Sequence, residues 1–335
     1  MATLNAKNPK LKDSLSASDS VYAPEKDFYT TPDLCLHKVR NLTVAHSPDA
    51  DDIFMYYAIA FGWVGARESS SLSNDISDVV FSSVAQDIQT LNEATLRGEF
   101  DISAISFALY PLVYEDYALL CTGVSFGEGY GPKLIKKKGV TLRRNFTVAL
   151  SGAHTTNAML FKIAYPEARV VYKNFLEIEN AVLSGEVDAG VLIHESILEF
   201  SENLCVEAEI WDIWSDLNKQ NLPLPLGGMA IRRSLPLNIA LLSEEILTKA
   251  VQVAVSNKEI LCKMLLERNL IRVSSAKLQT YLNLYANAHS ITLSTEQLRA
   301  IDMLFKLGFD SGFFPKLLSA SEYMLPKEYL NARFN

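Results

Sequence analysis

One histidine in this chain stands where a histidine can do chemistry. Asp188–Ser196 reads D-A-G-V-L-I-H-E-S, in which the apolar run Ala189–Ile193 has the length of a buried strand and stops abruptly at His194 and Glu195. An imidazole titrates near neutral pH, and open α/β sheets collect ligands at the carboxyl ends of their strands. His194 therefore reads either as a general base facing a ligand crevice or as a capping or hydrogen-bonded core residue. Four hydroxyls share its situation. Ser47 follows the strand Leu42–Ala45, Ser106 ends the alternating run Asp101–Phe107, and Thr155 and Thr156 follow the strand Phe146–Leu150 across the turn Ser151-Gly152-Ala153-His154. The two threonines open a helix carrying Ala158, Met159, Leu160, Ile163 and Ala164, so they either cap it or stand beside amides that suit a carboxylate or phosphate. Hydroxyls, a helix N-terminus and an imidazole together suit proton abstraction from a small anionic organic substrate. Glu195 could orient or charge the imidazole, or face solvent.

Other chemistries fit less well. No G-x-S-x-G elbow marks a nucleophilic serine, so a Ser-His-acid hydrolase has no signature. Asp49, Asp51 and Asp52 are three acids in four residues, but an EF-hand counted from Asp49 would need Gly and Glu where Phe54 and Ala60 stand. They suit the N-terminus of a helix better, with Asp49 or Asp51 as the cap. Ser125–Pro132 alternates glycines, yet no helix follows directly and the dinucleotide fingerprint fails, leaving a tight crossover or a ligand-facing loop. The four cysteines, Cys35, Cys121, Cys205 and Cys262, are scattered without a C-x-x-C pair and read as buried free thiols in a reducing compartment. No metal and no cofactor is expected.

The elements that must position these residues alternate. Leu42–Ala45 is a strand, followed by a helix with Ile53, Phe54, Tyr56, Tyr57, Ile59 and Ala60 on its buried side. Val79–Phe81 is a strand, Gln86–Arg97 an amphipathic helix with Ile88, Leu91 and Leu96 inward, closed by Gly98. Asp101–Phe107 and Tyr117–Val124 are further strands. This βαβ rhythm predicts a parallel sheet. Lys133–Arg144, with six basic residues in twelve, reads as a solvated hinge in which Lys133 could meet an anionic ligand. A second unit runs from Phe146 through the strand Arg169–Tyr172, the helix Phe175–Leu183 and the histidine strand to a short helix, Trp211–Leu217. Leu222–Gly228 holds two prolines and reads as a stiff crossover, after which Met229–Arg233 is a returning strand. From Leu237 the pattern is helical and reads as packing surface.

At 335 residues the chain exceeds what one core usually serves. We expect a polar extension over 1–40, a discontinuous α/β domain over 41–130 and 229–335 with C-terminal helices, and a second α/β domain over 131–228. Two hinge crossovers, near 126–138 and 218–230, suit closure over a small ligand. With 49% hydrophobic and 21% charged residues the balance is that of a globular protein, and a net charge of -8 disfavours nucleic acid or an anionic membrane as partner. No signal-peptide core and no run of eighteen apolar residues occurs, so a cytoplasmic location is expected. Oligomeric state is left open.

Six motifs in order, S-P-D-A-D-D, D-I-S-A-I-S-F, G-E-G-Y-G-P, G-A-H-T-T-N, D-A-G-V-L-I-H-E and L-P-L-P-L-G-G, resemble the 1,4-dihydroxy-6-naphthoate synthases of the futalosine route to menaquinone. The resemblance runs from Leu42 to Arg233 and more weakly through the C-terminal helices. It implies a two-domain type II periplasmic-binding-protein-like α/β fold in a cytoplasmic lyase, which converts cyclic dehypoxanthinyl futalosine to 1,4-dihydroxy-6-naphthoate without an organic cofactor. By the same resemblance the base falls on His194, and ligand-binding hydroxyls fall on Ser106, Ser103, Thr155 and Thr156. The family's opening more often reads S-P-C-P-N-D-T, so Asp49-Ala50-Asp51-Asp52 departs from it. A non-catalytic cytoplasmic binding or sensor protein of this fold, or a sibling such as chorismate dehydratase, stands beside that reading, and I-H-E favours the naphthoate synthase.

Overall fold

The computed structural model describes residues 40–64, 79–271 and 274–326. The expected polar extension, apart from Arg40, and Cys35 lie outside the described residues. Two sheets organise the rest. The first collects β1 (Arg40–His46), β2 (Val79–Ala85), β3 (Ile102–Ser106), β4 (Tyr117–Leu119), β5 (Ser125–Gly127) and β11 (Leu224–Arg232); the second collects β6 (Lys133–Lys137), β7 (Thr147–Leu150), β8 (Arg169–Tyr172), β9 (Ala189–Leu192) and β10 (Leu204–Glu209).

In the first sheet the order is β2-β1-β3-β11-β4, with β5 also on β11. β1 is parallel to both neighbours, pairing Leu42 with Phe81 and Val44 with Ile102, as the βαβ rhythm predicts. β11 is antiparallel to β3, pairing Gly227 with Ser106. In the second sheet, ordered β10-β6-β9-β7-β8, β7 is parallel to β8 and β9, whereas β6 is antiparallel to β9 and β10. The chain thus leaves the first sheet between Gly127 and Lys133 and returns to it at Leu224. Apolar strands buried on both faces and helices laid over them explain the arrangement.

The helices are α1 (Ala50–Ala60), α2 (Ile88–Leu96), α3 (Thr156–Ala164), α4 (Ile178–Ser184), α5 (Ile210–Asn218), α6 (Leu237–Ser256), α7 (Lys258–Glu267), α8 (Ser275–Tyr285) and α9 (Thr295–Asp310). α1 packs against α6 and α8, burying Ile53, Phe54, Met55, Tyr56 and Ala58. Ala60 is exposed, because α1 ends there. Leu91 is inward on α2 as expected, but Leu96 is 40% exposed on its last turn, and Asn92, one turn after Ile88, is fully buried in its place.

Three expectations change. The basic stretch opening at Lys133 is sheet, because Leu134 and Ile135 are fully buried between β9 and β10, while Lys136 pairs with Glu207 at 2.5 Å. Lys133 faces Glu209 at 3.9 Å and does not line the ligand cavity. The proline-rich crossover is extended, but from Leu224 it is already β11, with its register against β5 shifting between Pro225 and Gly227. No disulfide joins the described cysteines, of which only Cys262 is buried and Cys121 and Cys205 are partly exposed. Among the described residues no helix is long and apolar enough to cross a membrane.

Candidate active site

A cavity opens where the strand ends of both sheets meet. Ser47 after β1, Ser106 at the end of β3, Thr155 and Thr156 at the start of α3, and His194 after β9 all line it. Ser103 does not. It lies three residues upstream on β3, fully buried, with its hydroxyl donated to the Ala104 carbonyl at 3.0 Å. Of the glycine-rich loop only Ser125 and Pro132 reach the cavity. Gly127 serves the turn, since a Cβ there would stand 2.2 Å from the Tyr130 carbonyl oxygen.

His194 opens a short 3-10 turn, His194–Ile197, with φ 54, a left-handed conformation that a non-glycine residue adopts only under constraint. Two contacts hold its side chain. The Phe175 ring meets the imidazole edge-on with centroids 4.9 Å apart, and Nδ1 is hydrogen-bonded to the Asp49 carboxylate, reached from the start of α1. A carboxylate accepts only, so Nδ1 carries the proton and the other nitrogen is the acceptor. That nitrogen, Nε2, is buried on the cavity side without a hydrogen-bond partner in the protein. Burial disfavours the imidazolium, but Asp49, Glu195 and Asp52 outweigh it and hold the His194 pKa above its ordinary 6.5.

The first strand end is held by its neighbours. His46 Nδ1 donates to the Ser47 carbonyl at 2.7 Å, its Nε2 accepts from Ser83 Oγ at 2.6 Å, and burial keeps its pKa low, so it braces the turn as a neutral ring. The Ser47 amide donates to Asp52 at 2.7 Å, while Ser47 Oγ is buried without a partner. Ser106 is gripped by Asn92 of α2. On the opposite side Thr155 caps α3, accepting from the Ala158 amide at 3.2 Å and donating to the Gly152 carbonyl at 3.1 Å. Thr156 Oγ1 accepts from the Ala108 amide at 3.3 Å and donates to the Leu226 carbonyl at 3.0 Å. Both threonine hydroxyls are therefore committed to the scaffold. The first-turn amides of Thr156 and Asn157, which have no intrahelical acceptor, are the groups at this helix start that suit an anion.

Acids crowd the other wall. Asp51 is raised well above the usual carboxylate range by burial and by repulsion from Asp49, Asp52 and Glu195, and Tyr281 donates to it at 3.1 Å. Burial and Asp49 push Asp52 up to about 8, and burial and Asp49 also raise Glu195. Asp49 is the exception: burial would raise it, but the imidazole outweighs this and keeps it below 3.8. A cavity in which burial and mutual repulsion favour the neutral forms of Asp51 and Asp52 is less hostile to an anion than the sequence count of acids suggests. Asp49, Asp51 and His194 each offer a donor atom within 4.8 Å of one another, the one such group among the described residues. Their closeness is spent on the His194–Asp49 and Tyr281–Asp51 hydrogen bonds.

Several of these residues escaped the sequence. Asp49 reads locally as a helix cap, and nothing in its spacing points 145 residues on to His194. Asn92 did carry a signal, as a polar residue on the apolar face of a helix. Tyr281 and Tyr285 of α8 line the cavity, so the C-terminal helices do more than pack. Their hydroxyls were hidden in an apolar periodicity that tyrosine also satisfies.

Comparison with known proteins agrees with this architecture. A family model described as menaquinone biosynthesis matches residues 42–310. The chain is 28% identical over 267 residues to a 1,4-dihydroxy-6-naphthoate synthase of Thermus thermophilus, covering 79% of this chain and 92% of that one. It is 29% identical over 283 residues to the Streptomyces coelicolor enzyme of the same name, covering 82% and 95%. Among solved structures, a protein of Archaeoglobus fulgidus superposes with a TM-score of 0.72 at 29% identity, over 84% of this chain and all of that one. The alkanesulfonate-binding protein SsuA of Xanthomonas axonopodis superposes with a TM-score of 0.61 at 12% identity, over 85% and 97%, which shows the fold alone. The fold is thus periplasmic-binding-protein-like, and the chain belongs to the menaquinone biosynthesis family.

Proposed function

We propose that this protein is a 1,4-dihydroxy-6-naphthoate synthase, a carbon–carbon lyase acting on cyclic dehypoxanthinyl futalosine in the cytoplasm, with His194 as its general base. The observation that carries the reading is the unpartnered Nε2 of His194, buried at a cavity wall with its other nitrogen's proton held by a carboxylate. In that tautomer the imidazole offers a lone pair to the substrate and takes a proton from it; the electron pair left behind forms a π bond as the carbon–carbon bond breaks, and the carbon that keeps the broken bond's electrons is protonated in turn. Ser47 and Ser106 would bind substrate through their hydroxyls. Thr155 and Thr156 would bind it by presenting the amides of α3 to its carboxylate. The reading calls on no cofactor or metal. It takes 41–130 with 229–335 as one closing body and 131–228 as the other.

Incubation of the purified protein with the cyclic futalosine derivative tests the proposal. Naphthoate should appear stoichiometrically with substrate loss. Tight binding without release of naphthoate would instead leave a ligand-binding protein of the same fold.

A further inference from the structure

We propose that Asp49 and Glu195 are positioning residues which each bond the other's turn across the cleft, so that His194 becomes an aligned base only when the two sheets' strand ends are brought together. The inference rests on the reading of His194 as a base.

Each of the two acids is absent from the task its position suggests. Asp49 occupies the N-cap of α1 with the extended backbone of a cap, φ -78 and ψ 168, yet its side chain makes no capping hydrogen bond. An uncapped helix start leaves amides unsatisfied. Another free amide of this helix start is met from the other sheet: Glu195 Oε1 accepts the amide of Ala50, the first residue of α1, at 2.7 Å. The Asp49 carboxylate, which makes no capping bond, accepts from His194 Nδ1. Two consecutive residues on one side, Asp49 and Ala50, thus bond two consecutive residues on the other, His194 and Glu195. Both bonds run from the β1–α1 turn to the turn after β9, and both part if those turns separate.

The reciprocal pairing also accounts for the backbone of His194. A left-handed φ at a non-glycine residue persists only where surrounding contacts over-determine it, and here the cross-cleft bonds on either side of the peptide do so. The charged and titratable groups facing the imidazole are Asp49 and Asp52 from the α1 side and Glu195 beside it, with Tyr281 of α8 behind Asp51. Among them only Asp49 is bonded to the ring. An acceptor on Nδ1 fixes both the tautomer and the ring plane, and the negative charge supports the imidazolium that proton abstraction creates.

The test uses the full chain in two measurements. The first is an imidazole NMR titration without substrate, with the His194 signal assigned by its loss in His194→Asn. Asp49→Asn should lower the His194 midpoint by about one unit or more, since the ring loses its charged acceptor. Asp49→Ser, which keeps a capping side chain, should do the same. The second is steady-state turnover: Asp49→Asn should cost about 100-fold in kcat with KM changed less than about threefold. Glu195→Ala should cost about 10-fold, and Glu195→Gln, whose amide oxygen still accepts from Ala50, should recover most of it. An unmoved His194 midpoint in both Asp49 variants overturns the proposal, as does equal loss in Glu195→Ala and Glu195→Gln. The titration needs no substrate. A shifted midpoint without naphthoate formation would therefore retire the proposed reaction and keep the cross-cleft pairing.

Discussion

Asn92 grips Ser106 at two points: its side-chain nitrogen donates to Ser106 Oγ at 3.1 Å, and its side-chain oxygen accepts the Ser106 amide at 3.0 Å. A serine whose oxygen is already accepting can still donate its own proton, and Ser106 lines the cavity. Asn92→Leu keeps the volume but strands a buried amide, which costs about 1–3 kcal/mol. The expected result is a lower urea midpoint together with a raised KM. Unchanged KM in a folded variant would remove Ser106 from substrate binding.

His194→Asn should separate binding from turnover. The amide roughly fills the place of the ring and leaves the hydroxyls and helix amides untouched, so calorimetric affinity for the substrate should stay within about threefold while kcat falls at least about 100-fold. In the wild-type protein kcat/KM should rise with pH as His194 loses its proton. Because the folded-state value is raised, the midpoint of that acid limb should lie above 6.5. A midpoint below 6.5, or a variant as active as wild type, would take His194 out of the mechanism.

These residues also mark what was legible in the sequence. Periodicity finds strand ends well, because a buried strand that stops abruptly changes composition at one residue; Ser47, Ser106 and His194 were found that way and all reach the cavity. What periodicity cannot supply is the partner of a side chain. Asp49 satisfied a local rule for helix caps, and the tertiary bond to His194 overrides that rule. Lys133–Lys137 failed for a related reason. Its lysines advertise solvent, but the sheet order places it between β9 and β10, where acidic partners on β10 make the charges tolerable. Ser103 shows the opposite error: motif resemblance nominates it, but it lies three residues short of the strand end, and Ser106 alone of the two serines reaches the cavity.

The threonine pair should behave as scaffold when mutated. Thr155→Ala removes the cap of α3 and should cost about 1 kcal/mol of stability. Thr156→Val leaves the buried Ala108 amide without its acceptor and should cost about 1–3 kcal/mol. Thr155→Ser and Thr156→Ser retain the hydroxyls and should restore both stability and KM. If the serine variants remain as impaired in KM as Ala and Val, contact with the methyl groups rather than the hydroxyl network governs this end of the site.

Asp52 ties stability to pH with a definite sign. Its folded pKa of about 8 lies above the ordinary 3.8, so between those values the folded chain holds a proton that the unfolded chain has released. The stabilisation is complete below the unfolded value and is lost as pH rises through about 8. Asp51, also raised, and His194 act in the same direction, whereas Asp49, lowered, gains stability as pH rises from the acid side. The contribution of Asp52 is therefore isolated by difference. Between pH 5 and pH 8 the unfolding free energy of Asp52→Asn should fall less steeply than that of wild type, by up to about 1.4 kcal/mol per pH unit. Urea unfolding at a series of pH values reads both curves, and parallel curves would mean that Asp52 has the same pKa folded and unfolded and is ionised at neutral pH.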